Sequence, residues 1–388
     1  MYIRRELIDV LRKAVRKYPV VAVTGPRQSG KTFLVKHAFP KRPYVNLEKG
    51  DVRQFALEDP QAFLKHYEGG ILDEIQNVPE LLSYIQVDVD QNIGRRGRYL
   101  LTGSQNLLLS EQVSQSLAGR IRLLNLLSCT WGELKKYDRP PKSLEHMLFQ
   151  GGYPRPYDQK LDFTEWYSDY FETYVQRDVR SLKNVGNLNS FVRFVRMCAA
   201  RNGQLLNLSS LGSDAGVRHN TARAWISVLE ATYIVFLLPP HFKNFNKRLM
   251  KSPKLYFWDA GLLCYLLGIR RAEELRFHSM RGAIFEAFVI SEIAKRTIHR
   301  GEKPDLYFWQ DKSKLEVDLL IQSGERYTPV EIKSGQTVNP DFFRGLNQWS
   351  HLSGYTGSKY VVYGGEETQN RQGIQVASWR ELSQVEMD

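Results

Sequence analysis

The chain has 388 residues, a formal net charge of +12, and 42% hydrophobic and 25% charged residues. That length exceeds what one hydrophobic core usually serves and predicts two or more domains, while the ordinary composition excludes a fibrous or disordered body. No apolar run approaches the ~20 residues that span a bilayer, and Met1-Tyr2-Ile3-Arg4-Arg5-Glu6 lacks a signal-peptide core, so a cytoplasmic protein with no membrane partner is expected.

Cys129, Cys198 and Cys264 match no CxxC or Cys/His ligand spacing, which predicts core residues and neither disulfides nor structural zinc. The positive charge favours a polyanionic partner, nucleic acid first.

Tyr18-Pro19-Val20-Val21-Ala22-Val23-Thr24 is a short β-branched run that suits a buried parallel strand. Gly25-Pro26-Arg27-Gln28-Ser29-Gly30-Lys31-Thr32 follows, an uninterrupted GxxxxGK(S/T) loop, and then helix-like Phe33-Leu34-Val35-Lys36-His37. Strand, loop and helix in that order form the context a phosphate cradle needs. The glycines let backbone N–H groups turn inward, and the helix N-terminus adds partial positive charge. Lys31 is expected at the β- and γ-phosphates of ATP, with Thr32 on Mg²⁺.

Gly69-Gly70-Ile71-Leu72-Asp73-Glu74-Ile75-Gln76 reads as an apolar strand ending in two carboxylates. Asp73 is placed to hold Mg²⁺, and Glu74 to orient and polarise the attacking water. The next apolar strand, Tyr99-Leu100-Leu101, runs into Thr102-Gly103-Ser104-Gln105-Asn106. A polar group at the end of a strand lying between the phosphate-loop and acidic strands would sit near the γ-phosphate. Ser104 is the choice for that sensor, with Thr102 and Gln105 beside it. Ser116-Leu117-Ala118-Gly119-Arg120-Ile121-Arg122 offers Arg120 as an arginine finger, in many such enzymes donated to a neighbouring subunit. A structural or DNA-facing arginine is the other reading of the same residue.

The order of these elements resembles the AAA+ ATPases. Arg4-Arg5-Glu6, Thr24-Gly25-Pro26-Arg27-Gln28, Tyr44-Val45-Asn46-Leu47-Glu48, Leu72-Asp73-Glu74-Ile75-Gln76, Leu101-Thr102-Gly103-Ser104 and Gly119-Arg120 are similar to a widespread bacterial and archaeal AAA+ family. The C-terminal half of that family carries a domain long labelled as of unknown function. The resemblance covers essentially the whole chain and implies the fold and the use of ATP.

Downstream, Gly151-Gly152-Tyr153-Pro154 marks a turn and the stretch from Phe163 to Val179 reads as a helix, resembling the helical lid of an AAA+ core; Arg177-Asp178 near its end forms a lid salt bridge or reaches the nucleotide. Residues 208–217 and 219–226 read as helix, turn, helix, with Gly216 at the turn, and the apolar segment after them completes a winged helix. Its second helix offers Arg218, His219, Asn220 and Arg223 to a DNA groove. The segment 241–254 carries Lys243, Lys247, Arg248, Lys251 and Lys254 with no acid, a composition that neutralises phosphates. A winged helix used for protein contacts is the alternative.

Gly282-Ala283-Ile284-Phe285-Glu286-Ala287-Phe288-Val289 opens a helix, and Leu306-Tyr307-Phe308-Trp309, Leu315–Ile321 and Thr328–Lys333 read as a strand meander. This layout resembles the restriction-endonuclease-like PD-(D/E)XK superfamily, through helix Glu286, strand-end Asp318, and Glu331 two residues before Lys333. The resemblance implies a nuclease-like site in which Asp318 and Glu331 hold Mg²⁺ and Lys333 positions the nucleophile. Such a site either cuts or, with activity lost, grips.

The expected fold class is therefore α/β and multidomain. It comprises an AAA+ parallel-sheet core over residues 1–135, a helical lid over 136–190, a winged helix over 191–270 and the nuclease-like domain over 271–388. The expected function is an ATP hydrolase that assembles as a homo-oligomer and remodels or translocates DNA. An ATP-gated switch acting on a protein partner and an ATP-regulated metal nuclease are the alternatives.

Overall fold

The computed structural model describes residues 3–103, 116–175, 188–241, 252–311 and 313–385. Helix α1 (Leu7–Val15) buries Leu7, Ile8, Leu11, Ala14 and Val15, the spacing of a single helix face. Strand β1 (Val20–Thr24) is buried along its full length, as a strand covered on both sides must be. The phosphate loop leads into α2 (Lys31–Ala38). β2 (Tyr44–Asn46), α3 (Gly50–Glu58), α4 (Pro60–His66), β3 (Ile71–Asp73), α5 (Leu81–Gln91), β4 (Tyr99–Gly103) and β5 (Ile121–Asn125) complete the unit.

These strands form one parallel sheet in the order β2-β3-β4-β1-β5. Strand β4 therefore lies between the acid-bearing β3 and the phosphate-loop strand β1, the placement the sequence predicts. Ala22, Leu72 and Leu101 pack against α3, α4 and α5 on one face. Val21, Val23 and Leu100 pack against α1 and α2 on the other.

Short helices follow: α6 (Trp131–Leu134), α7 (Leu144–Gln150), α8 (Pro154–Gln159), α9 (Phe163–Tyr170) and α10 (Leu188–Ala200). The helix expected from Phe163 changes at Phe171 into a π-helical segment, Phe171–Val175. Helices α11 (Leu208–Ala215) and α12 (His219–Ala231) are joined at Gly216, whose φ of +71° is the left-handed turn glycine supplies without strain. Trp225 of α12 meets Phe191 and Phe194 of α10 edge to face, which seats the second helix. β6 (Val235–Leu238) and β7 (Lys254–Phe257) pair antiparallel behind it.

After α13 (Ala260–Leu266) comes the long α14 (Arg281–His299), then β8 (Leu306–Gln310), β9 (Glu316–Ser323), β10 (Arg326–Lys333), α15 (Arg344–Ser353), β11 (Tyr360–Tyr363), β12 (Gln369–Arg371) and β13 (Ile374–Ser378). The sheet runs β12-β13-β11-β10-β9-β8 and is mixed: the meander β8-β9-β10 is antiparallel, whereas β10, β11 and β13 are parallel. Helix α14 covers one face and α15 the other. One hydrophobic cluster runs from Cys129 through Trp225 and Phe288 to Trp379, so the helical segments and the inner face of this sheet share a core. All three cysteines are buried and free. No helix among the described residues is long and apolar enough to cross a membrane.

Candidate nucleotide site and the C-terminal acid constellation

The phosphate loop leaves the carboxyl end of β1, where a parallel sheet places its ligands. Gly25 has φ +144°, and a Cβ there would lie 2.1 Å from the Leu126 carbonyl oxygen, so no other residue fits. Pro26, Arg27, Gln28 and Ser29 curl away from it, with Gln28 at φ +59°, and Gly30 at φ +94° caps α2. Lys31 is buried, and its ammonium donates to the carbonyls of Gly25 at 3.0 Å and Pro26 at 2.7 Å. The buried Ser29 hydroxyl has no partner among the described residues, a polar atom available to a ligand.

Asp73 is the hub of the acidic half. Thr32 Oγ1 donates to it, 3.0 Å from each carboxylate oxygen, and Tyr44 OH donates at 2.7 Å. Thr102 at the end of β4 donates to the same carboxylate and accepts the Glu74 N–H at 3.3 Å. Burial first, and then the Asp73 carboxylate, raise the Tyr44 phenol far above its ordinary value, so it acts as a neutral donor. Glu74 holds the left-handed φ of +57°, and its carboxylate accepts the Gln76 amide. A non-glycine residue in that region is uncommon and marks a tightly specified position. Tyr44 escaped the sequence reading, in which its segment served only as a landmark.

Arg5 braces the loop from below. It is buried, and its guanidinium donates to the Ser29 carbonyl at 2.7 Å, the Leu127 carbonyl at 2.6 Å and Glu133 at 3.0 Å. A cavity of about 560 Å³ opens beside Gln28, Ser29 and Gly30, walled by Ile3, Phe33 and Pro154. Its size and mainly apolar walls suit a flat heterocycle.

From 209 residues away, Tyr233 reaches the base of the loop. Its hydroxyl lies 3.1 Å from Asn125 Oδ1 and 3.4 Å from Thr24 Oγ1, while Thr24 itself donates to Asn125 at 2.5 Å. Tyr233 follows α12 directly and holds φ +58°.

Arg120 stands at the amino end of β5, its carbonyl accepting the Val20 N–H. The phosphate loop begins at the other end of β1, about 13 Å away at the rise of a strand. Its guanidinium is held in two-pronged fashion by Asp90, at 2.6 and 2.9 Å. That position sets Arg120 apart from the phosphate loop of its own chain. Arg218, His219, Asn220 and Arg223 are brought together on the exposed face of the first turns of α12. Ser104 and Gln105, Arg177, and the basic residues Lys243, Lys247, Arg248 and Lys251 lie outside the described residues.

At the C-terminal sheet, Glu286, Asp318, Glu331 and Lys333 do converge, with two further groups, Glu316 and Lys254. Asp318 is the third residue of β9, near its start and not at the strand end expected from the sequence. It accepts the Ile332 N–H at 2.7 Å and lies 3.4 Å from Lys333 Nζ, which also holds Glu331 at 2.6 Å. Lys254 Nζ lies 3.5 Å from Glu286 and 3.2 Å from Glu316. Burial raises the Glu286 and Glu331 carboxyls above the ordinary range, with the Asp318 charge adding to it. Three carboxylates outweigh burial at Lys254 and lift its ammonium to about 12. Among the described residues no three acidic, histidine or cysteine side chains are disposed to hold one metal ion. Lysine ammonium groups stand against both pairs of acids: Lys333 against Asp318 and Glu331, the residues expected from the sequence to hold Mg²⁺, and Lys254 against Glu286 and Glu316.

Residues 17–135 match the AAA domain family, and residues 141–273 and 281–382 match two domains of unknown function, DUF8612 and DUF4143. Among solved structures, the Walker-type ATPase PABY2304 of Pyrococcus abyssi superposes with a TM-score of 0.45 at 15% identity, over 67% of this chain and 94% of that one. The uncharacterized proteins Rv2008c of Mycobacterium tuberculosis and Mb2031c of Mycobacterium bovis are each 31% identical over 347 residues, 88% of this chain and 76% of theirs. With an AAA-type ATPase domain at its N-terminal end, the chain belongs to the same family as Rv2008c and Mb2031c.

Proposed function

We propose that the protein hydrolyses ATP with Mg²⁺ and spends the turnover on remodelling or translocating DNA, branched DNA included, held on the exposed face of α12. Thr32 and Asp73 present a hydroxyl and a carboxylate side by side, the hard oxygen donors that suit Mg²⁺. When bound, the ion neutralises phosphate charge. Lys31 and the loop amides bind the phosphates, and Glu74 takes the proton of the attacking water. Thr102 links Glu74 to Asp73, so the base and the metal-binding carboxylate keep a common register.

The observation that carries the coupling is Tyr233. It lies just past the C-cap of α12, the helix that begins with Arg218, His219, Asn220 and Arg223, and its hydroxyl rests on Asn125 and on Thr24, one residue before the phosphate loop. A shift of that loop on turnover is thereby felt at the basic helix. Lys243, Lys247, Arg248 and Lys251, a short way downstream in the sequence, add phosphate neutralisation to this reading.

We further propose that copies assemble with nucleotide at their interfaces and that Arg120 serves the neighbour's site. Its partner Asp90 is about half exposed, and a solvent-screened pair of that kind is readily exchanged for a phosphate. The four-part division 1–135, 136–190, 191–270 and 271–388 is the working domain map. The test is ATP turnover with and without duplex, single-stranded and four-way-junction DNA. Stimulation by one of them is expected; no binding and no stimulation by any would end the DNA reading.

A further inference from the structure

The acids expected to form a metal nuclease site are closed by two lysines, one of them contributed by another part of the chain. We infer that Lys254 is the resident cation of this constellation, and that Glu286, Glu316, Asp318 and Glu331 serve as an ion-pair clamp fastening β7 to the C-terminal sheet, not as a metal centre for phosphodiester cleavage.

Each of the four carboxylates already has at least one donor, and of their oxygens Glu331 Oε2 is buried without one among the described residues. Glu286 takes Lys254 and the Tyr256 hydroxyl; Glu316 takes Lys254 and the Gln310 amide at 3.0 Å. Asp318 takes the Ile332 N–H and Lys333, and Glu331 takes Lys333. Lys254 is not a surface lysine at rest: its side chain is 5% exposed, and its ammonium lies 5.3 Å from the centre of the Phe308 ring. Mg²⁺ demands a near-octahedral shell of oxygens at about 2.1 Å. It would have to expel an ammonium that three elements hold in place, against the repulsion of both lysines.

A second tie runs beside the first. Asn202 accepts the Phe257 N–H at 3.0 Å and donates to the Ala283 carbonyl at 2.9 Å, bridging β7 to α14. Strand β7 is in turn bonded back to the end of α10, Gly203 N–H to the Leu255 carbonyl at 2.7 Å and Leu255 N–H to the Gln204 carbonyl at 3.0 Å. Close by, His241 N–H and Phe308 N–H lace the chain after β6 to β8. The helix-turn-helix segment and the C-terminal sheet are thus one body. Within the DNA reading this favours grip over cut, yet the tests below read metal and stability, so either inference can fail alone.

The experiment measures Mn²⁺ binding to the full chain carrying Asp73→Asn, without nucleotide, by electron paramagnetic resonance. No saturable site is expected; a site present in that chain and abolished by adding Asp318→Asn would overturn the clamp. In parallel, Lys254→Met should lower Tm by on the order of 5 °C or more, because buried carboxylates lose their cation. Adding Glu316→Gln to it should lower Tm less than Glu316→Gln does in the unaltered chain. A Lys254→Met chain of unchanged Tm would refute the inference. Should that variant fail to fold, the Mn²⁺ measurement on the lysine-intact chain still decides.

Discussion

Thr32 gives its single hydroxyl proton to Asp73, 3.0 Å from both carboxylate oxygens, and so joins the phosphate loop to the acidic strand across 41 residues of sequence. The same carboxylate collects Tyr44 and Thr102. Three neutral donors thereby satisfy the oxygens of one buried acid.

Around that hub the roles of Lys31 and Glu74 separate experimentally. Lys31→Ala removes the charge meant for the phosphates, and nucleotide binding should be lost in a fluorescent-nucleotide titration. Glu74→Gln keeps the shape and removes the base. It should bind ATP within a few-fold of the parent while turnover falls by about 10²–10⁴. Normal hydrolysis by the glutamine variant would remove Glu74 from its role.

Arg5 supports a stability prediction with a functional signature. Arg5→Met leaves Glu133 buried without its main cation and frees the Ser29 and Leu127 carbonyls. Losing one partner of a buried pair typically costs about 3–5 kcal/mol, so thermal unfolding should fall steeply. Because Ser29 belongs to the phosphate loop, ATP affinity should fall as well. Arg5→Lys should not restore either, since one ammonium cannot serve three acceptors arranged around a planar fork.

The phosphate loop, the Asp73-Glu74 pair and the flanking strands were legible because each is local: a contiguous motif whose backbone needs declare themselves as glycine and whose strands are apolar runs. The place of β4 between the acidic strand and the phosphate-loop strand followed from the motif pair. Tyr44, Arg5 and Tyr233 were not legible as site residues, because their work depends on contacts 29, 24 and 209 residues away, which periodicity does not report. The acid set near β9 shows the opposite case. Glu286, Asp318, Glu331 and Lys333 are named by resemblance to a nuclease-like layout, whereas Glu316 and the buried Lys254, the latter from a segment expected to neutralise phosphates, join them only in three dimensions.

Tyr233→Phe tests the coupling between α12 and the loop. The ring still fills its buried place, and the lost hydroxyl contributes about 0.5–1.5 kcal/mol, so folding should persist. Stimulation of turnover by DNA should fall several-fold more than the rate without DNA. Equal reduction of both would mean that Tyr233 merely supports the loop.

The junction between the sheets also predicts a dependence on pH. His299 at the end of α14 is wholly buried, accepts the Leu127 N–H on Nε2 at 3.2 Å and directs Nδ1 at Glu133, 3.7 Å away. Burial is the main force holding its imidazole down, to about 3; Arg5 and Lys295 reinforce it, and Glu133 opposes it only in part. The unfolded chain takes up this proton as pH falls through about 6.5, whereas the folded chain does not until near 3. The stability tied to neutral His299 is therefore complete above pH 6.5 and is lost progressively below it. At pH 5.5 one such group costs about 1.4 kcal/mol relative to pH 7.5. His299→Gln keeps an acceptor for Leu127 and cannot titrate. Thermal unfolding of both chains at pH 7.5 and 5.5 should show the larger loss in the parent; parallel losses would mean that His299 is protonated in the fold, or that other groups set the acid limit.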